Sequence, residues 1–190
     1  MKGIGAMEQG PGGKSSLAWF KLAEFVSRGE RERALSVYRL LMHTVDDPAF
    51  AKQLEGDLLG SFEQPGAFDS YMHAIELYRK NNKTAQAMAI CEQVVGMAPH
   101  QQFFLDALIE LYQESPHSTR IYLAFGNLLA PLVKAHQTPS LVQALRALRP
   151  LLAADDALEL IDQAKRLVLQ YDDGQEQCIL IDELKQLIGE

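Results

Sequence analysis

Residues 68–101 read FDSYMHAIELYRKNNKTAQAMAICEQVVGMAPHQ and contain two apolar runs separated by a short polar turn. In the first run Tyr71, Ile75 and Tyr78 recur at the spacing of one helix face. Asn82 lies in the turn, where a residue that tolerates left-handed backbone geometry is favoured. The apolar positions of the second run are Ala87, Cys91 and Val94. The stretch therefore predicts a helical hairpin.

The same helical spacing continues along the chain from Leu17, and no stretch shows the strict alternation expected of a β-strand. Proline marks boundaries because it is tolerated in the first turn of a helix and is costly inside one. Pro48, Pro116 and Pro139 each follow a capping residue and indicate helix starts, whereas Pro131 indicates a kink or a split. The predicted helices are 16–28, 30–45, 48–62, 66–80, 83–97, 100–114, 116–136, 139–149, 154–170 and 174–188.

Residues 68–101 resemble one 34-residue tetratricopeptide repeat. Tyr71 and Tyr78 occupy the aromatic positions of its first helix, Ala87 a small position of its second helix, and Pro99 its closing proline. Cys91 replaces an aromatic residue of the family. The resemblance implies a solenoid in which each hairpin buries its apolar face against its neighbours.

Two weaker copies flank this repeat, at residues 19–41 and 105–125. Residues 48–81 also fit a repeat, so two framings of the middle of the chain are open. The glycine that the family carries in the first helix is missing from every copy, which indicates a divergent member. The residues at that position are Ala23, Ile75 and Ile109.

The resemblance and the helix count together predict an all-α fold, a right-handed α-solenoid of antiparallel helical hairpins with about ten helices. Three segments are expected along the chain. Residues 1–15 form a disordered leader, residues 16–136 form the tetratricopeptide-like repeats, and residues 137–190 form a helical cap packed on the repeats. Because the last helix covers the end of the array, a monomer is favoured over a homo-oligomer.

Composition excludes several classes of partner. The net charge is −7 and no basic run occurs, so neither nucleic acid nor an anionic membrane surface is an expected ligand. No apolar run is long enough for a signal peptide or a membrane span. Cys91 and Cys178 both fall in apolar helical patterns, which is typical of buried thiols in a reducing compartment. A cytoplasmic location is therefore predicted.

No motif in the chain indicates catalysis. The histidines are scattered one per helix or turn and no His-Glu-x-x-His occurs, so no metal site is predicted. Cys91 lies on an apolar stripe rather than beside a base, which disfavours a nucleophilic role. Paired aspartates fall at helix ends, where capping explains them. We therefore expect no catalytic residue, no metal and no cofactor. The histidines are His43, His73, His100, His117 and His136.

The remaining candidate is a protein-binding surface. In tetratricopeptide arrays the first helix of each pair lines a concave groove, so the resemblance implies a groove that holds a peptide or a helix of another protein. The family's Lys, Asn and Arg clamp for C-terminal carboxylates is absent, since Asp69, Met72 and His73 fill its positions. The predicted partner-binding residues are Lys21, Glu24, Arg28, Met72, His73, Glu76, Arg79, Asp106 and Glu110.

A protein-interaction scaffold is thus the leading functional hypothesis. The first alternative is a small acidic helical-repeat chaperone for a secreted or aggregation-prone partner. The second alternative is a helical-bundle enzyme with a metal or lipid site, which bound metal or lipid after purification would support.

Overall fold

The computed structural model describes residues 12–171, 182–184 and 186, with side chains from Leu17 onward. Every regular element within these ranges is helical, which confirms the all-α prediction. The helices are α1 Gly12–Ser27, α2 Arg31–Met42, α3 Pro48–Ser61, α4 Gly66–Lys80, α5 Thr84–Met97, α6 Gln102–Glu114, α7 Ser118–Lys134, α8 Thr138–Leu148 and α9 Ala154–Tyr171, with a 3-10 turn at Arg149–Leu151 between α8 and α9. The predicted helix at 174–188 lies mostly outside the described residues.

Three boundary predictions are corrected. Helix α1 already begins at Gly12, inside the predicted leader, because extending an existing helix by one turn costs little once the helix has been nucleated. Helix α7 begins at Ser118 rather than at Pro116, since Ser115 ends α6 instead of capping α7. Pro131 does not split α7, because it lies in the last turn, where few backbone hydrogen bonds remain to be lost.

The predicted start at Asp47 is confirmed. The Asp47 carboxylate accepts hydrogen bonds from the backbone N–H of Ala49 at 3.0 Å and of Phe50 at 3.2 Å, and Pro48 follows as the first helical residue. These bonds satisfy two of the donors that every helix start leaves without an intrahelical partner.

The start of α8 differs from the prediction. Thr138 is the first helical residue rather than the cap, and Gln137 precedes it without a side-chain capping bond. Thr138 is 1 % exposed, and among the described residues its Oγ1 has no hydrogen-bond partner. A buried hydroxyl in this state is a net cost to stability.

Replacing Thr138 with valine, which has nearly the same shape, is expected to raise the free energy of unfolding by about 1 kcal/mol. Urea denaturation followed by circular dichroism measures the change. The matched control is Thr44→Val, because Thr44 Oγ1 donates to the Leu41 carbonyl at 2.8 Å. That variant is expected to lose about 1 kcal/mol. Equal destabilisation by both substitutions would show that the Thr138 hydroxyl does have a partner.

The chain divides into two compact units, Met1–Lys80 and Asn81–Glu190. In the first unit α1 packs on α2, and α3 packs closely on α4. This pairing fits the framing of residues 48–81 as a repeat. The core of α1, α2 and α3 gathers around Leu22, Ala34, Tyr38, Leu41 and Leu58.

In the second unit α5 packs on α6 and α7, α6 packs on α8, and α7 packs on both α8 and α9. Helices α5 and α7 thus each contact the following helix and also the next helix but one. The predicted boundary at residue 136 falls inside this unit, between α7 and α8. The right-handed solenoid, and the boundary between repeats and cap, stay predictions.

Candidate functional site

Eight of the nine predicted partner-binding residues lie on α1, α4 and α6, and Arg28 directly follows α1. On α1, Lys21 is exposed and Glu24 is half-buried. Arg28, in the turn that follows α1, is exposed, and its Nη2 lies 2.6 Å from Glu24 Oε1. These three residues form a polar surface at the end of α1. An exposed ion pair of this kind contributes little to stability, so the surface is available to solvent and to a partner.

Four further residues lie on α4, and Asp106 and Glu110 lie on α6 in the second unit. On α4, His73 and Glu76 are exposed, and Met72 and Arg79 are half-buried. If residues 68–101 form one repeat, α4 and α6 are the first helices of their hairpins. In the structure α4 instead packs on the preceding helix α3, and α6 packs on the preceding helix α5. Their role in binding stays a prediction.

The structure shows a different surface in the first unit, an apolar groove of about 400 Å³ between α1 and α3. Its lining repeats the spacing i, i+3, i+4, i+7 on both helices, so each wall is two helical turns, or about 10 Å, long. The apolar lining residues are Trp19, Leu22, Ala23, Val26, Leu54 and Leu58, and the polar ones are Ser27, Asp57 and Ser61.

The polar groups of the apolar groove are already hydrogen-bonded within the unit. Ser27 Oγ donates to the Glu24 carbonyl at 2.8 Å, and Ser61 Oγ donates to the Asp57 carbonyl at 2.7 Å. The Tyr71 hydroxyl donates to Asp57 Oδ1 at 2.8 Å. Burial and this bond to a carboxylate raise the pKa of Tyr71 well above its ordinary value. The surface that the groove offers is therefore mainly apolar.

The groove is continuous with the core beneath it. Leu22 and Leu58 are 5 % and 3 % exposed and belong to the buried cluster. Trp19 is half-buried, and its ring centroid lies 6.3 Å from that of Phe50. Trp19 is also the only tryptophan of the chain, so its fluorescence reports directly on this surface.

The apolar groove was not predicted from the sequence, because each hairpin was expected to bury its whole apolar face against its neighbours. On a helix of 3.6 residues per turn Lys21 lies about 160° around the axis from Trp19. The predicted binding face of α1 thus points away from the groove. The available signal was the matching spacing of Leu54 and Leu58, but spacing does not say whether two stripes meet or leave a gap.

In the second unit a polar cluster borders another surface groove, of about 890 Å³. Tyr112 is 1 % exposed, and its hydroxyl donates to Glu92 Oε1 at 2.9 Å. Arg120 Nη2 lies 3.4 Å from the same oxygen. Burial, followed by the Glu92 charge, raises the pKa of Tyr112. The cluster is a satisfied network, and its phenol is held in the neutral form.

The chemistry of the described residues is sparse. Cys91 is buried, as predicted, and Cys178 lies outside the described residues. In the part of the chain that the structure describes, no three His, Cys, Asp or Glu side chains come together in a way that could hold a metal ion. None of the described helices has both the length and the apolar character needed to cross a bilayer.

Comparison with known proteins adds no family to these observations. No protein-family model matches the chain, and no curated protein sequence matches it.

Proposed function

We propose that this chain is a non-catalytic protein-interaction scaffold, a divergent relative of the tetratricopeptide repeats, that binds a helical segment of another protein in the apolar groove between α1 and α3. The observation that carries the proposal is the groove itself. It presents two facing walls of apolar side chains, at matching helical spacing on α1 and α3. Apolar grooves of this size are typical of ligand-binding surfaces.

A helix fits the groove better than an extended peptide. The polar side chains of the lining are bonded within the unit, so they leave little to pair with an extended backbone. Backbone N–H and C=O groups that lose water without gaining a partner are costly. An amphipathic helix satisfies these groups internally and offers apolar side chains at matching spacing. Two turns of such a helix match the length of the walls.

The other elements of the proposal follow from charge and burial. A net charge of −7 disfavours nucleic acid and anionic membranes as partners. The buried Cys91 supports a reducing, cytoplasmic location. We also propose that the protein acts as a monomer and needs no cofactor.

The proposal predicts that an amphipathic model helix quenches or shifts Trp19 fluorescence in a saturable way. The probe is a 14-residue Lys/Glu/Leu peptide with leucines at i, i+3, i+4 and i+7, and its comparison is a scrambled peptide of the same composition. The variant Ala23→Glu places a charge on an exposed position of the groove wall. It is expected to weaken binding by about tenfold, because the carboxylate must be desolvated.

The control variant is Ala89→Glu, the same substitution at an exposed helical position outside the apolar groove, and it is expected to bind like the wild type. Equal responses to the helical and scrambled peptides would refute helix recognition. Saturable binding of a fatty acid such as dodecanoate, without binding of the peptide, would favour the lipid-site alternative. Capture from native cytosol with the wild type and with Ala23→Glu then identifies the natural partner.

A chaperone for an apolar partner segment is the second candidate. Leu17 and Phe20 on α1 are 56 % and 69 % exposed, and large apolar side chains at such exposure are typical of surfaces that another protein covers. The chaperone predicts that the captured partner aggregates when expressed alone and stays in solution with this chain. A partner that is stable alone would favour the scaffold.

A further inference from the structure

The second unit carries a basic groove that the proposed scaffold function does not use. It is lined by the end of α8, the 3-10 turn and the first half of α9, and its volume is about 670 Å³. We name it the arginine groove. The lining residues that matter for recognition are Arg146, Arg149, Leu152, Leu158 and Ile161.

The two arginines are exposed, and neither has an ion-pair or hydrogen-bond partner among the described residues. They differ in this respect from the other described cations of the unit. Arg120 contacts Glu92, and Lys134 lies over the Tyr171 ring. The cations that likewise have partners are Lys83, Lys165 and Arg166.

The acidic residues of α9 do not line the arginine groove. Glu159 bonds the Tyr122 hydroxyl, and Asp162 contacts Lys165 and Arg166. Asp155 and Asp156 lie in the first turn of α9, where they complement the helix dipole. The groove is thus locally positive in a chain whose net charge is −7.

The floor between the arginines and α9 is apolar. Leu158 is 46 % exposed, Leu152 is half-buried, and Ile161 is buried beneath them. Arg146 and Arg149 are three residues apart, so their side chains leave neighbouring positions on one face of the chain. Guanidinium groups pair with carboxylates in a two-pronged geometry.

From this combination of charge and apolar surface we infer that the arginine groove docks an acidic segment of another protein, with two carboxylates on Arg146 and Arg149 and one apolar side chain on Leu152 and Leu158. Nucleic acid is disfavoured, because two cations neutralise few phosphates and the apolar floor would stay uncovered. The inference does not depend on the proposed function, because the apolar groove belongs to the first unit.

The test uses a fluorescein-labelled peptide, Gly-Glu-Leu-Leu-Glu-Gly with blocked ends, in a fluorescence anisotropy titration. Two comparison peptides replace both glutamates by glutamine or both leucines by serine. The double variant Arg146→Gln, Arg149→Gln is expected to weaken binding of the first peptide about tenfold, and Leu158→Ser about fivefold. Because a charged contact is screened by salt, affinity is also expected to fall as NaCl is raised from 0.05 to 0.5 M.

The control double variant, Arg39→Gln with Arg166→Gln, lowers the net charge equally outside the arginine groove and is expected to bind as the wild type does. Ala23→Glu is also expected to bind normally, which separates this inference from the proposed function. Equal binding of the glutamine peptide, or absence of binding, would overturn the inference. Tighter binding to phosphatidylglycerol vesicles or to single-stranded DNA than to the peptide would overturn it as well.

Discussion

The variant Gly56→Ala is expected to lower the free energy of unfolding by about 2 kcal/mol, although alanine is a better helix former than glycine. A Cβ at position 56 would lie 2.6 Å from Tyr71 Cδ1 and 2.7 Å from Cε1, closer than real Cβ atoms come to other atoms. The ring has little room to move, because Tyr71 is 2 % exposed and its hydroxyl is held by Asp57. Relief must therefore come from moving α3 away from α4. Urea denaturation followed by circular dichroism measures the loss.

The control for this prediction lies one turn further along the same helix. A Cβ at Gly60 would have the Tyr71 hydroxyl at 3.7 Å and Ala67 Cβ at 3.9 Å, both ordinary contacts. Gly60→Ala is therefore expected to raise stability by about 0.5 kcal/mol through helix propensity. If Gly56→Ala were equally stabilising, the close approach of α3 and α4 would be wrong.

A double variant tests the stated cause. Gly56→Ala combined with Tyr71→Leu removes the ring that the new methyl group meets. The two substitutions are expected to couple, so that the double variant loses less stability than the sum of the single losses. Simple additivity would show that the effect of Gly56 does not pass through Tyr71.

Helix positions were readable from the sequence because their causes are local. The Asp47 cap and its following proline act within one turn, and apolar spacing reports on a single helix. In the part of the chain that the structure describes, α2 to α9 each start within two residues of the predicted starts, and α1 starts four residues earlier. At Ser115 and Thr138 a capping residue before proline did not mark the exact start of the helix. This local pattern therefore predicts that a helix begins nearby, but it does not fix the first residue.

The pairing of helices was harder to predict because it depends on distant residues. Apolar stripes of similar spacing allow α4 to pair forwards or backwards along the chain. What favours α3 is Gly56, whose lack of a side chain makes room for Tyr71 fifteen residues later. Glycine inside a helix lowers the stability of that helix, so the sequence alone indicates a destabilising residue and does not indicate this packing role.

The candidate site was missed for a related reason. A stripe such as Trp19, Leu22 and Val26 predicts burial, and it cannot tell a covered face from an open groove. The arginine groove could not be predicted from the sequence either, because the fold decides that Arg146 and Arg149 have no partner among the described residues. The sequence gives the net charge of −7 but does not show where a local positive surface lies.

Tyr112→Phe is expected to lower the free energy of unfolding by about 2 kcal/mol, because it removes a buried hydroxyl that donates to the Glu92 carboxylate at 2.9 Å. The matched control is Tyr122→Phe in the same unit. Tyr122 also bonds a carboxylate, that of Glu159, but it is far less buried. The loss for Tyr122→Phe is expected to be much smaller than that for Tyr112→Phe, because solvent replaces the lost hydrogen bond.

The pH dependence of the Tyr112 effect separates the hydroxyl from mere packing. The unfolded phenol titrates near pH 10, and burial beside Glu92 raises the native pKa of Tyr112 above that value. The contribution of the neutral phenol is therefore complete below pH 10 and is lost as the pH rises further, because the unfolded chain then releases a proton that the native state retains. Wild-type stability should thus fall more steeply above pH 10 than that of Tyr112→Phe, so that the gap between the two narrows. Burial also raises the pKa of Tyr38, to about 12. The fall in stability that Tyr38 causes above pH 10 is the same in both proteins and therefore cancels in the comparison. Parallel profiles up to pH 12 would contradict a raised native pKa of Tyr112 and with it the burial of its neutral hydroxyl beside Glu92.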